Sequence, residues 1–104
     1  MRRAAFTMKL KPGCEAEYKR RHDEIWPDLV KALEDAGVRD YSIFLDAKTG
    51  VLFAYQTLKD HDTSADLPST EVVRRWWRSM ADLMDTHPDN SPVTFDLVEV
   101  FHLD

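Results

Sequence analysis

"DYSIFLDAKTGVLFAYQTL", residues 40–58, decides the fold. Tyr41, Ile43 and Leu45 alternate with Ser42 and Phe44, the period-two pattern of a strand with two distinct faces. A second apolar run, "VLFAYQTL" (51–58), follows after only the turn "DAKTG". Gly50 supplies a residue that takes a positive φ at no steric cost, as so short a connection requires. Two strands joined this way form an antiparallel hairpin. The second strand is apolar at every position from Val51 to Tyr55, so both of its faces need cover.

Upstream of the hairpin, Ala4, Phe6, Met8 and Leu10 share one parity and predict a strand over Arg3–Leu10, ended by "KPG" at 11–13. Cys14, Tyr18, His22, Ile25, Leu29 and Leu33 then recur at steps of four, four, three, four and four, which is one face of a helix. Glu15 and Glu17 sit in its first turn, where negative charge complements the helix dipole. Pro27 falls inside the pattern and lacks a backbone donor, so it kinks the helix or splits it in two. Gly37 is the expected stop.

Downstream, "KDHDTSADLPST" (59–70) is polar and reads as a loop with room for one helical turn. Ser69 or Thr70 is expected to cap a second helix, whose apolar stripe is Val73, Trp76, Trp77, Met80, Leu83 and Met84. "THPDNSP" (86–92) is a loop, and "VTFDLVEVFHL" (93–103) a closing strand.

The order is strand, helix, strand, strand, helix, strand. It predicts an α+β, ferredoxin-like βαββαβ fold: a four-stranded antiparallel sheet with two helices on one face. A chain of 104 residues reads as one domain, 1–104. The last strand carries Val93, Phe95, Leu97 and Phe101 on one parity and Val98 and Val100 on the other. Helices cover only one face of the sheet. The other face is expected to meet a second copy, giving a homodimer of the dimeric α/β-barrel type.

The formal net charge is −5, which opposes broad binding to nucleic acid. Cys14 is the one cysteine, so no intramolecular disulfide forms, and a reducing, cytoplasmic location is expected. The apolar run near the N-terminus is broken at Thr7 and Lys9, too short for a signal peptide. No apolar run approaches the roughly 18 residues of a membrane span, so no membrane partner is expected. His22, His61, His87 and His102 show no metal-site spacing, and no metal is expected. Nucleotide-binding and hydrolase motifs are absent.

Tyr18 and His22 lie four apart, so a phenol and an imidazole share one helix face, with Trp26 four further on. Two readings stand: a pair that only packs, and an acid–base dyad using the one side chain that titrates near neutrality. Trp76 and Trp77 diverge by about 100° around their helix. Three readings stand: one indole in the core with the other flanking it; at least one edging a pocket, where an indole face stacks on the apolar side of a sugar and its N–H donates; or stacking on nucleic acid, which the charge balance opposes. Tyr41 is an ordinary strand aromatic unless its ring turns toward the helices.

"EYKRRHDEIWPDL" (17–29), "YSIFLD" (41–46), "TEVVRRWWRSMADLM" (70–84) and "PDNSPV" (88–93) together resemble the L-rhamnose mutarotase family over nearly the whole chain. Segment 61–68 departs from the pattern, and nothing is carried over there. The resemblance implies a ferredoxin-like subunit that dimerises through its sheet. It implies interconversion of the α and β anomers of L-rhamnose, an isomerase reaction of rhamnose catabolism, without a cofactor. It assigns proton donation to His22 and sugar contacts to Tyr18, Tyr41, Trp76 and Trp77. The competing readings are a haem- or oxygen-handling enzyme of similar architecture and a sugar-binding module without chemistry. The fold alone does not choose among them.

Overall fold

The computed structural model describes all 104 residues. The chain runs β1 (Arg2–Lys9), α1 (Glu15–Asp23), α2 (Pro27–Asp35), β2 (Val38–Asp46), β3 (Val51–Leu58), α3 (Glu71–Met80) and β4 (Phe95–Leu97). The four strands form one antiparallel sheet in the order β2-β3-β1-β4, the ferredoxin-like arrangement. The hairpin turns as its composition requires, with Gly50 at φ +78° and its N–H donating to the Asp46 carbonyl at 2.8 Å.

Register sorts the side chains into two faces. Ile43 pairs with Ala54, Ala54 with Phe6, and Phe6 with Asp96, so this row shares one face. On that face Met8, Leu10, Leu52 and Ala54 meet Tyr18 of α1 and Met80, Leu83 and Met84 at the end of α3, forming the core. Leu10 and Leu52 are only 1% exposed. Fully burying a side chain of that size stabilises by about 1.5–3 kcal/mol.

The opposite row is Phe44, Phe53, Thr7 and Phe95, paired in sequence across all four strands. Its three phenylalanines are exposed, Phe44 and Phe95 by about two thirds. No helix of the chain lies over them.

Pro27 splits the first helix rather than kinking it. Trp26 takes the extended φ −68°, ψ 132° that a residue before proline prefers, and Pro27 opens α2 at a position whose N–H needs no partner. Gly37 ends α2 at φ +92°. There an added Cβ would lie 3.0 Å from the Asp62 Cβ, so both conformation and space favour glycine. Segment 59–70 contains a 3-10 turn, Ser64–Ser69.

Three expectations are corrected. Thr70 stands at the start of α3, but its hydroxyl donates to the Leu67 carbonyl at 2.7 Å and caps no helix N–H. The hairpin's first strand begins at Val38, with a register irregularity between Arg39 and Ser42 and Asp40 at φ +49°. The closing strand spans Phe95–Leu97 rather than 93–103. Past Leu97 the chain is tethered by the Arg3–Glu99 ion pair, but Val98, Val100, Phe101 and Leu103 are all more than 70% exposed. Nothing within one chain covers those side chains, so no burial drives the segment into the sheet.

Candidate functional site

α1 places Tyr18 and His22 one turn apart, and their rings stack with centroids 4.3 Å apart at 30°. Nδ1 of His22 lies 3.0 Å from the Tyr18 carbonyl oxygen. A carbonyl only accepts, so Nδ1 carries the hydrogen and donates it, and Nε2 is left as the nitrogen that exchanges protons. Burial lowers the His22 pKa, and the Tyr18 carbonyl and the charge of Asp23 offset part of that fall.

The same burial raises Tyr18 well above the usual phenol range, helped by the neighbouring Tyr41. Tyr41 is pushed up to about 12, also by burial. Both phenols therefore stay neutral near pH 7. They orient hydroxyl groups as donors and acceptors and do not act as bases.

Trp76 of α3 meets His22 edge-on at 5.3 Å and 89°, and meets Trp26 edge-on at 5.2 Å and 88°. Arg75 covers the far ring of this cluster, its guanidinium carbon 5.2 Å from the Trp26 centroid, while it donates to Asp28 at 2.9 Å. Arg21 ties α1 to the end of α3: it donates to Glu17 and Asp82, both at 2.8 Å, and to the Ser79 carbonyl at 2.6 Å. Thus the helix that carries His22 is fastened to the helix that carries Trp76.

A cavity of about 1660 Å³ lies between the helices and the sheet, and Tyr18, His22, Tyr41, Trp76 and Trp77 all line it. The register irregularity between Arg39 and Ser42 takes in Asp40 and Tyr41, and Tyr41 joins Ile43 and Leu45 in lining the cavity. Both indoles reach the cavity, but Trp76 alone of the two packs on the core and touches His22. A smaller hollow, about 350 Å³, backs onto Trp76 and Trp26. Its charged groups Arg20, Arg21, Glu24 and Asp82 neutralise one another, so it offers no free acid or base.

The loop at 86–92 also lines the cavity, through His87, Asp89, Asn90 and Ser91. Sequence reasoning read it as a loop, and residues 88–93 as part of the family resemblance, but gave none of its side chains a site role. The available signal was a polar cluster held between two prolines, Pro88 and Pro92. Gln56 of β3 was missed as well, because its polarity is hidden in an apolar strand pattern. No group of three or more histidine, cysteine or acidic side chains is arranged to hold a metal ion. No helix is long and apolar enough to cross a membrane.

Residues 3–103 match the family model of L-rhamnose mutarotase. The chain belongs to the L-rhamnose mutarotase family. The L-rhamnose mutarotase of Mesorhizobium japonicum is 57% identical over 99 residues, covering 95% of this chain and 94% of that one. That of Phocaeicola vulgatus is 54% identical over the full length of both chains. The crystal structure of L-rhamnose mutarotase from Formosa agariphila superposes with a TM-score of 0.94 at 47% identity, again over all of both chains. As a member of the L-rhamnose mutarotase family, the chain has the ferredoxin-like architecture that its element order predicted.

Proposed function

We propose that this protein interconverts the α and β anomers of L-rhamnose, with His22 as proton donor to the ring oxygen. Membership of the L-rhamnose mutarotase family supports the reaction. The observation that carries the assignment of roles is the cavity itself. His22, two neutral phenols and two indoles line it together, and the Tyr18 carbonyl holds the His22 Nδ1, which supports Nε2 as the nitrogen that exchanges protons.

Mutarotation moves one proton onto the ring oxygen O5 and removes one from the anomeric hydroxyl O1. The C1–O5 bond breaks, the open aldehyde turns about C1–C2, and the ring closes on the other carbonyl face with the proton movements reversed. The reaction is redox-neutral, and an acid and a base held against one sugar suffice. A positioned general acid contributes about 10²–10⁴ in rate. Tyr18 and Tyr41 orient the sugar hydroxyls. Trp76 and Trp77 seat the apolar face of the ring and its 6-methyl group.

The uncovered row Phe44–Phe53–Phe95 supports a face-to-face homodimer through the sheet, since a continuous apolar surface of this kind marks an association site. The free Cys14 fits a reducing cytoplasm. Saturation-transfer NMR between the two anomeric protons tests the reaction. Added protein is expected to accelerate exchange of L-rhamnose over the spontaneous rate. Binding without acceleration would leave only a sugar-binding module.

A further inference from the structure

Ring opening needs a base for the anomeric proton as well as an acid for O5. Three carboxylates line the cavity: Glu15, Asp23 and Asp89. Glu15 and Asp23 share α1 with His22 and so approach a sugar from the wall that already holds the acid. Asp23 is also engaged by Lys19, whose Nζ lies 3.0 Å from both of its oxygens. Asp89 comes from another wall, the 86–92 loop between α3 and β4.

That loop is a built turn. Thr86 and Pro92 pair as a bridge, the His87 N–H donates to the Ser91 carbonyl at 2.8 Å, and the Asn90 N–H donates to the His87 carbonyl at 2.9 Å. The Ser91 N–H and hydroxyl both donate to Oδ1 of Asp89, at 3.0 and 2.5 Å. Oδ1 is thereby fixed, and Oδ2 remains to meet a ligand. No lysine or arginine is spent on Asp89.

We propose that Asp89 faces His22 across the bound sugar and is the base that takes the anomeric proton. The inference rests on the mutarotase reading. In ring opening Asp89 Oδ2 takes the O1 proton, the O1 electrons form the carbonyl, the C1–O5 bond breaks, and O5 takes the proton of His22 Nε2. His22 is then neutral imidazole and Asp89 neutral acid. After rotation about C1–C2 the O5 hydroxyl adds to the other carbonyl face, its proton returns to Nε2, and Asp89 returns its proton to O1. Both groups end as they began. The arrangement also answers a cost in the empty cavity. Burial penalises the His22 imidazolium, and a carboxylate held across a bound sugar from it would favour the charged ring. The Ser91 hydrogen bonds hold Asp89 below the usual carboxylate range, so it is ionised when the sugar arrives.

Asp89→Asn keeps an oxygen for Ser91 and removes the base. Exchange of L-rhamnose anomers by saturation-transfer NMR is expected to fall about 100-fold or more, while sugar affinity by calorimetry changes by less than about tenfold. Asp89→Ala is expected to lose exchange too, and to regain part of it with added formate. Native exchange in Asp89→Asn overturns the assignment. Loss of binding and exchange together, without formate rescue, also overturns it and leaves Asp89 as a sugar-binding group. A loss in His87→Gln with Asp89→Asn unaffected moves the base to His87. If the unaltered protein fails to accelerate exchange at all, the mutarotase reading falls first and Asp89 with it. Full activity in Asp89→Asn beside an inactive His22→Ala sinks this inference alone.

Discussion

Trp76 stands edge-on to His22 at 5.3 Å, while Tyr18 stacks on the imidazole face at 4.3 Å. With Nδ1 also bound to the Tyr18 carbonyl, the ring is held by contacts on its face, its edge and one nitrogen. Acid–base groups work by being held in one geometry, and misplacement of about 1 Å costs rate steeply.

Trp26 supports that arrangement from behind, since it meets Trp76 edge-on at 5.2 Å. Such aromatic pairs contribute about 0.5–1.5 kcal/mol beyond burial. Trp26→Leu is therefore expected to lower kcat/KM by about 2–10-fold while the chain still folds, since RT ln of that ratio matches the pair's energy. Steady-state measurement of anomer exchange checks it, and an unchanged kcat/KM would remove Trp26 from the support of the site.

Burial lowers the His22 pKa below its ordinary 6.5. The unfolded chain thus takes up this proton at a higher pH than the folded chain does. The stability held by the neutral ring is complete above about 6.5 and is lost as pH falls from there to the depressed folded value. Denaturant midpoints at about pH 7.5 and about pH 5 should fall further in the native protein than in His22→Asn, whose other titrating groups are the same. Equal falls would mean that burial does not shift this imidazole.

Phe44 pairs with Phe53 on the uncovered sheet face and is two thirds exposed in the single chain. Phe44→Asp places a charge where a partner sheet would bury it, at a cost of several kcal/mol unless the charge is paired. Sedimentation should show dimers for the native protein and monomers for the variant. Unchanged sedimentation would exclude this face as the interface.

Leu52 is 1% exposed, in the core beside Met8 and Met80. Leu52→Ala should destabilise the fold by about 2–5 kcal/mol through lost burial and the cavity left behind. Equilibrium unfolding in urea measures this directly.

The hairpin was legible because Tyr41–Leu45 alternate cleanly and Gly50 has a turn to make. Pro27 was legible as a break because proline constrains both itself and Trp26. The length of β4 was not. The apolar residues of 93–103 lie on both parities, a pattern that the sheet and helices of one chain do not account for. The Thr70 hydroxyl was misjudged because a preceding 3-10 turn presents it with the Leu67 carbonyl, a competitor that residue type does not reveal.

Within the site, Tyr18 and His22 were paired by spacing alone. Tyr41 shares the parity of Ile43 and Leu45, but alternation does not say which of the two sheet faces the helices cover, so its side was left open. The divergence of Trp76 and Trp77 was legible, but only the approach of Trp26 and His22 distinguishes Trp76 as the indole at the imidazole. Asp89 and its neighbours were read as a loop that shares the family resemblance but were given no site role, since polar turns carry no periodicity to mark which side chains face inward.

The central claim is that His22 moves a proton on bound L-rhamnose. Saturation-transfer NMR of the two anomers with native protein and with His22→Ala tests it most directly. The account predicts accelerated exchange with the native protein and exchange near the spontaneous rate with the variant, whose far-ultraviolet circular dichroism remains native. Native-rate exchange by His22→Ala would contradict it.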